Sequence, residues 1–307
     1  MKKSEKMTIY DEKDDLLLCT GLSLKEIGAI LNSKKPFEKE LEKKGKKYLD
    51  RYLTWKKYKE LIGEEKLKEP VLPLIAAFPC IGKTTMSREI ATAFGLGDVM
   101  GGDAFRAALR EFISQEKEPA FFVSMYETWK IFGEKTEENM IKGFNAQAKL
   151  ANQAMERLVA DRGIRDGESM VYEYLHFLPS QYHEDTLKHP SFIPIVLSLK
   201  SRKIWETRVK NRIKKTHLKG GSQRLLEALD TYAFFQKNLE REAKEFGIPI
   251  VETDNWDRAV DECIGIIIEK IKKLNALAGK ELEKTEMQKK FEEERHRAKG
   301  KKEEMRK

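Results

Sequence analysis

Gly82, Lys83 and Thr84 close the stretch LIAAFPCIGKTT at residues 74–85, and this trio is how a phosphate-binding loop ends. Such a loop works because successive backbone N–H groups and the N-terminus of the following helix surround a phosphate. The lysine reaches the outer phosphates and the hydroxyl binds magnesium. The expected nucleotide contacts are therefore Cys80, Ile81, Gly82, Lys83, Thr84 and Thr85, with Thr84 on the metal. Two positions depart from the glycine-rich pattern. Ala77 replaces the first glycine, which is tolerable if the residue stays extended at a strand end. Cys80 stands near the top of the loop, where a positive φ strains any side chain. A helix N-terminus also lowers a cysteine pKa, so Cys80 reads either as an activated thiol or, more plainly, as an inert small side chain.

More chemistry follows along the chain. MGGDAFRAALR places Asp103 after a short apolar segment, with Arg106 and Arg110 on one face of the helix it starts. One reading is an aspartate N-cap with two surface arginines. The other is a base that orients a substrate hydroxyl beside arginines that hold an anionic substrate, since phosphoryl transfer depends on positioning and charge neutralisation. The loop alone leaves both open. SMVYEYLHFLP delivers Glu173 to the end of a strand, where a carboxylate can hold magnesium through water, and His176 either contacts substrate or packs. Arg202, Arg208 and Arg212 come after FIPIVLSL, the last two on one helical face. In small kinases an arginine-bearing segment here closes over the phosphates and excludes water. Lys219 to Gly221 supply a flexible stretch suited to such a lid, with Arg224 on its far side.

These residues need elements to hold them in place. VLPLIAAF reads as a buried strand running into the loop, and KTTMSREIATAFGL as the amphipathic helix after it. A helix is expected at roughly 136–161, and strands at 169–173, 192–199 and 248–253. Strands alternating with helices predict a mostly parallel sheet covered on both faces, an α/β fold. From Leu24 to about Leu61 the pattern is helical and highly charged. Ser23 reads as its cap and Glu26 as the capping-box partner. A DNA-reading helix-turn-helix and a helical cap on an enzyme begin alike here. The chain thus divides into a helical N-terminal region at 1–66, a kinase-like domain at 67–275 and a charged tail at 276–307, the tail being a solvated helix or disordered.

Composition sets the bounds. The 307 residues are 40% hydrophobic, enough for a substantial core. No apolar run approaches the ~20 residues that span a bilayer, and MKKSEKMTIYDEKDD has no apolar signal segment behind its basic residues, so a cytoplasmic protein is expected. Cys19, Cys80 and Cys263 are odd in number and far apart, as reduced thiols are. A formal charge of +8 admits a nucleic-acid partner, but lysine and glutamate are mixed throughout, which favours a solvated face or a basic cleft for an anionic small substrate.

Taken together, these segments resemble the 2-phosphoglycerate kinases, a P-loop kinase family found chiefly in archaea. The resemblance runs from about Arg51 to Ile271. It is carried by RYLTWKKYKEL, AAFPCIGKTT, GGDAFRAALR, SMYETW, GFNAQ, YEYLHFLP, the Arg208 and Arg212 pair, and LLEALDTYAFFQKNLEREAKEFGIPIVET. It implies ATP-dependent phosphorylation of the 3-hydroxyl of 2-phosphoglycerate with Mg2+. On it, Lys83 and Thr84 serve ATP and metal and Asp103 orients the hydroxyl. Arg106 and Arg110 take the substrate phosphate and carboxylate, and Arg208 and Arg212 neutralise transferring charge. The chain departs from the family's pattern at Met125, where a serine stands, and at Tyr174 and Ser180, where glycines stand; bulk at Tyr174 beside Glu173 reshapes the substrate pocket. Alternatives of another kind are a nucleoside or nucleic-acid-end kinase of the same fold, and a non-catalytic ATP-binding regulator.

Overall fold

A computed structural model of the protein describes residues 16–33, 35–215, 223–280 and 282–304. Its centre is β1 (Leu72–Ala76), every residue of which is buried, as an apolar run covered on both faces must be. β2 (Asp98–Gly101), β3 (Met170–Tyr174), β4 (Phe192–Ser198) and β5 (Ile250–Glu252) complete a sheet in the order β2-β3-β1-β4-β5, with all pairs parallel. Leu74 lies opposite Tyr172 on one side and Pro194 on the other. The C-terminal ends of β1 and β3 thus stand side by side where the strand order reverses, the edge at which open α/β sheets bind ligands. The four strands expected from the sequence are present with bounds within two residues of those expected, β3 lying one residue later than 169–173 and β4 keeping its start, while β2 was not foreseen as a strand.

Helices precede the sheet, among them α1 (Leu24–Asn32), α2 (Phe37–Lys44) and α3 (Lys46–Gly63). Ser23 caps α1 as expected, and the Glu26 carboxylate accepts the Ser23 N–H at 3.1 Å to complete the capping box. Leu17, Leu22, Ile27, Ile30, Leu41 and Tyr52 form a small core of their own. The other end of α3 joins the main core: Trp55 stacks on Tyr58 with ring centroids 5.0 Å apart and meets Phe94 edge-on at 5.2 Å.

The sheet is flanked by α4 (Lys83–Ala93), α5 (Gly102–Leu109), α6 (Glu137–Leu158), α7 (Glu184–Lys188), α8 (Arg202–Lys215), α9 (Gln223–Glu227), α10 (Leu229–Glu245) and α11 (Trp256–Asn275). The helix expected near 136–161 is α6, capped by Thr136, and a π-helical turn at Val159–Arg165 continues it. The tail departs from the fully solvated reading. It forms α12 (Glu286–Glu304), and two of its few apolar residues, Met287 and Phe291, bury themselves against Ala160 while the Arg157 guanidinium covers the Phe291 ring at 3.9 Å. Two apolar residues four apart are enough to dock one face of a charged helix.

Candidate active site

The loop between β1 and α4 resolves both glycine departures. Ala77 is buried at the strand end, donates its N–H to Tyr174 O at 3.2 Å and has no positive φ. Cys80 does take the left-handed conformation, at φ +65°. Gly82 is required twice over: its φ is +123°, and a Cβ there would come within 2.5 Å of the Trp256 ring. Lys83 opens α4 and extends to Glu173 on β3, with Nζ 2.5 Å from Oε1, and Thr84 Oγ1 donates to the same oxygen at 2.6 Å. Burial alone would raise the Glu173 carboxyl, but the Lys83 charge and these two hydrogen bonds more than offset it and hold the group below the ordinary carboxylate range. Lys83, Thr84 and Glu173, proposed from the sequence for phosphates and metal, therefore meet at one point. The side chain of Ile81 is core, while its carbonyl and the exposed Thr85 stay with the loop.

Beside this point lies a cavity of about 200 Å³. Asp103, Arg106, Arg212 and Arg224 give it charge, and Met125, Leu175 and Leu225 give it an apolar side. Asp103 is not the cap of α5. The N-cap is Gly101, and Asp103 is exposed in the first turn. Gly102 lets α5 lie directly on β3, because a Cβ there would stand 2.6 Å from Tyr174 Cδ2 and 2.9 Å from Glu173 O. Tyr174 is fully buried behind the cavity and does not line it.

His176 is 1% exposed, stacks on Phe144 at 5.9 Å and has Nε2 2.9 Å from Gln147 Oε1. Burial, then the charges of Arg106, Lys83 and Arg110, hold it well below the usual histidine range, so the ring is neutral. The expected arginines divide by task. Arg106 and Arg110 both donate to Phe121 O, at 3.2 and 3.1 Å, and Arg106 lines the cavity whereas Arg110 does not. Arg208 is committed to the backbone: it donates to Ile81 O at 2.5 Å and to Thr253 O at 2.6 Å, bracing the loop from behind. Arg212 lies over the loop, Nη1 3.7 Å from Cys80 Sγ. Arg202 points elsewhere, to Glu206 and Asp230, and the stretch Lys219–Gly221 lies outside the described residues. Thr253, Trp256 and Gln147 hold the site without having been named as site residues, although Gln147 closes GFNAQ and Thr253 closes IPIVET, two segments that carry the resemblance. The position of Thr253 at the C-terminal edge of a parallel strand could also have pointed to it.

Several kinases are similar in sequence over most of this chain. The 2-phosphoglycerate kinase of Methanocaldococcus jannaschii is 26% identical over 229 residues, 75% of this chain and 71% of the relative. That of Pyrococcus furiosus is 27% identical over 76% of this chain and 74% of the relative. The mevalonate-3-phosphate 5-kinase of Thermoplasma acidophilum is 30% identical over 182 residues, 59% of this chain and 88% of the relative. The chain belongs with these small-metabolite kinases. No family model matches it. As a kinase it is a phosphotransferase with a hydroxyl acceptor. Among the described residues no helix of the kinase is long and apolar enough to cross a membrane.

Proposed function

We propose that this kinase transfers the γ-phosphoryl group of ATP to the hydroxyl of a small phosphorylated acid, with 2-phosphoglycerate as acceptor and 2,3-bisphosphoglycerate as product. The observation that carries this reading is an arginine-lined cavity of about 200 Å³ that holds Asp103 and is bordered by Pro79 of the loop whose Lys83 and Thr84 meet Glu173. A cavity of that size suits a metabolite better than a nucleic-acid end. The acceptor oxygen attacks the γ-phosphorus, the bond to the β-phosphate oxygen breaks, and Asp103 takes the hydroxyl proton. Lys83, on releasing Glu173, draws charge from the outer phosphates. Arg106 and Arg224 face the anionic acceptor, Arg212 covers the phosphates, and Arg208 keeps the loop in shape. Thr84 and Glu173, whose oxygens lie 2.6 Å apart, would hold a magnesium ion, which would neutralise phosphate charge.

The apolar side of the cavity favours one second reading. Met125, Leu175 and Leu225 have nothing to bury against in a three-carbon polar acid, whereas a methyl-branched acceptor such as mevalonate-3-phosphate, the substrate in the name of the Thermoplasma acidophilum relative, would meet them. Residues 67–275 contain every residue named in this mechanism, so we assign catalysis to that segment and place the activity in the cytoplasm. The experiment is ATP-dependent transfer with magnesium to 2-phosphoglycerate, mevalonate-3-phosphate, nucleosides and a 5′-hydroxyl RNA. Transfer to 2-phosphoglycerate supports the first reading and transfer to mevalonate-3-phosphate alone the second. Transfer to RNA or a nucleoside overturns both while keeping the chemistry, and ATP binding without transfer to anything points to a regulator.

A further inference from the structure

Gln147 decides which nitrogen of His176 carries the hydrogen. Its amide nitrogen donates to Ala120 O at 2.6 Å and Val123 O at 3.0 Å, so its oxygen is what faces the ring, 2.9 Å from Nε2. An amide oxygen only accepts, hence Nε2 holds the hydrogen and Nδ1 keeps a lone pair. Nδ1 is buried without a hydrogen-bond partner among the described residues, and so is Nε of Arg106. One atom is an acceptor and the other a donor. Both side chains line the same cavity, and Arg106 is the charge that acts most strongly on the ring. Each buried orphan has given up its hydrogen bond to water without gaining another.

Arg106 is free to yield its present contacts. Its Nη1 lies 3.2 Å from Phe121 O and 3.4 Å from Val123 O, and each of these carbonyls has a second donor, Arg110 Nε for the first and Gln147 Nε2 for the other. Releasing Arg106 therefore strands neither carbonyl. We propose that His176 is a positioning residue: as an anionic acceptor enters, Arg106 leaves those carbonyls, His176 Nδ1 takes its Nε–H, and the two Nη groups turn as a fork onto the anion. The proposal rests on the acceptor reading above. It gives Gln147 and His176, neither of which needs to touch substrate, a reason to be buried at the back of the cavity. Because the guanidinium is planar with its donors fixed relative to one another, holding Nε sets the direction of the rest.

The test is a cycle in the full chain, with His176→Leu, His176→Asn, Arg106→Lys and the Leu and Lys changes combined. Binding of 2-phosphoglycerate and of mevalonate-3-phosphate is measured by calorimetry, and ATP binding separately. His176→Leu is expected to weaken the acceptor about tenfold with ATP binding unchanged. His176→Asn, whose Oδ1 retains an acceptor near the Nδ1 position, is expected to recover most of that loss. On the Arg106→Lys background, His176→Leu is expected to cost less than twofold, because the arginine it aims is gone. Equal losses on both backgrounds, or equal weakening of ATP and acceptor, would overturn the proposal by making His176 a packing residue only. A parent enzyme that binds neither acid overturns the acceptor reading and this proposal together.

Discussion

In the proposed mechanism Asp103 is the residue on which the chemistry turns. Its side chain is exposed, lines the arginine-rich cavity and caps nothing. Asp103→Asn is therefore expected to leave ATP affinity unchanged and to lower kcat about 100-fold, the scale of a lost positioned base, in a steady-state assay; an unchanged kcat would remove it from the mechanism. Cys80 permits a test of the loop itself. A left-handed φ costs a side-chain-bearing residue about 1–2 kcal/mol, and glycine returns part of that as chain entropy. Cys80→Gly is expected to raise stability by about 0.5–1 kcal/mol in urea unfolding, with no loss of ATP binding.

At the scale of elements, four of the five strands were legible because short strand-like runs bounded by turns mark them, and the loop because Gly-Lys-Thr stands between strand and helix. β2 was not legible, being short and at least partly exposed throughout. The docking of α12 was not, since two apolar residues in a run of charges give no periodic signal. Nor was the division of labour between Arg208 and Arg212, which depends on where α8 crosses the loop and not on their spacing. Phe291→Ala tests the docking. It removes about 2 kcal/mol of apolar burial, so limited proteolysis at Lys289 is expected to accelerate at least tenfold while turnover stays that of the parent. Equal cleavage rates would mean that Phe291 does not hold the helix.

Over the whole molecule, buried polar groups join distant parts of the chain. Arg51 is 7% exposed and donates to Thr20 O at 2.9 Å, Asp261 Oδ1 at 2.7 Å and Asp261 O at 2.8 Å, tying the N-terminal turn and α3 to α11. Arg51→Ala strands these acceptors and is expected to cost about 2–3 kcal/mol in urea unfolding, below the full range for a broken buried pair because Asp261 is partly solvated. Acid is expected to destabilise the fold earlier than carboxylate titration would. Burial lowers His189 from 6.5 to about 4 and also holds His176 well below the usual histidine range. Below pH 6.5 the unfolded chain binds protons that these folded rings refuse, so stability falls with falling pH, by up to about 1.4 kcal/mol per unit for each group. For His189 the loss is complete near pH 4. Unfolding curves at pH 7, 5.5 and 4.5 measure it, and His189→Asn should flatten the slope. The strand order has a consequence for synthesis. β1 ends at Ala76, but the strands that flank it, β3 and β4, begin at Met170 and Phe192. At roughly 5–20 residues per second a ribosome leaves the most apolar strand of the sheet with both edges bare for several seconds. The nascent chain must keep β1 covered in that interval by other means, and the N-terminal helices, already made, are the part of the protein at hand to do so.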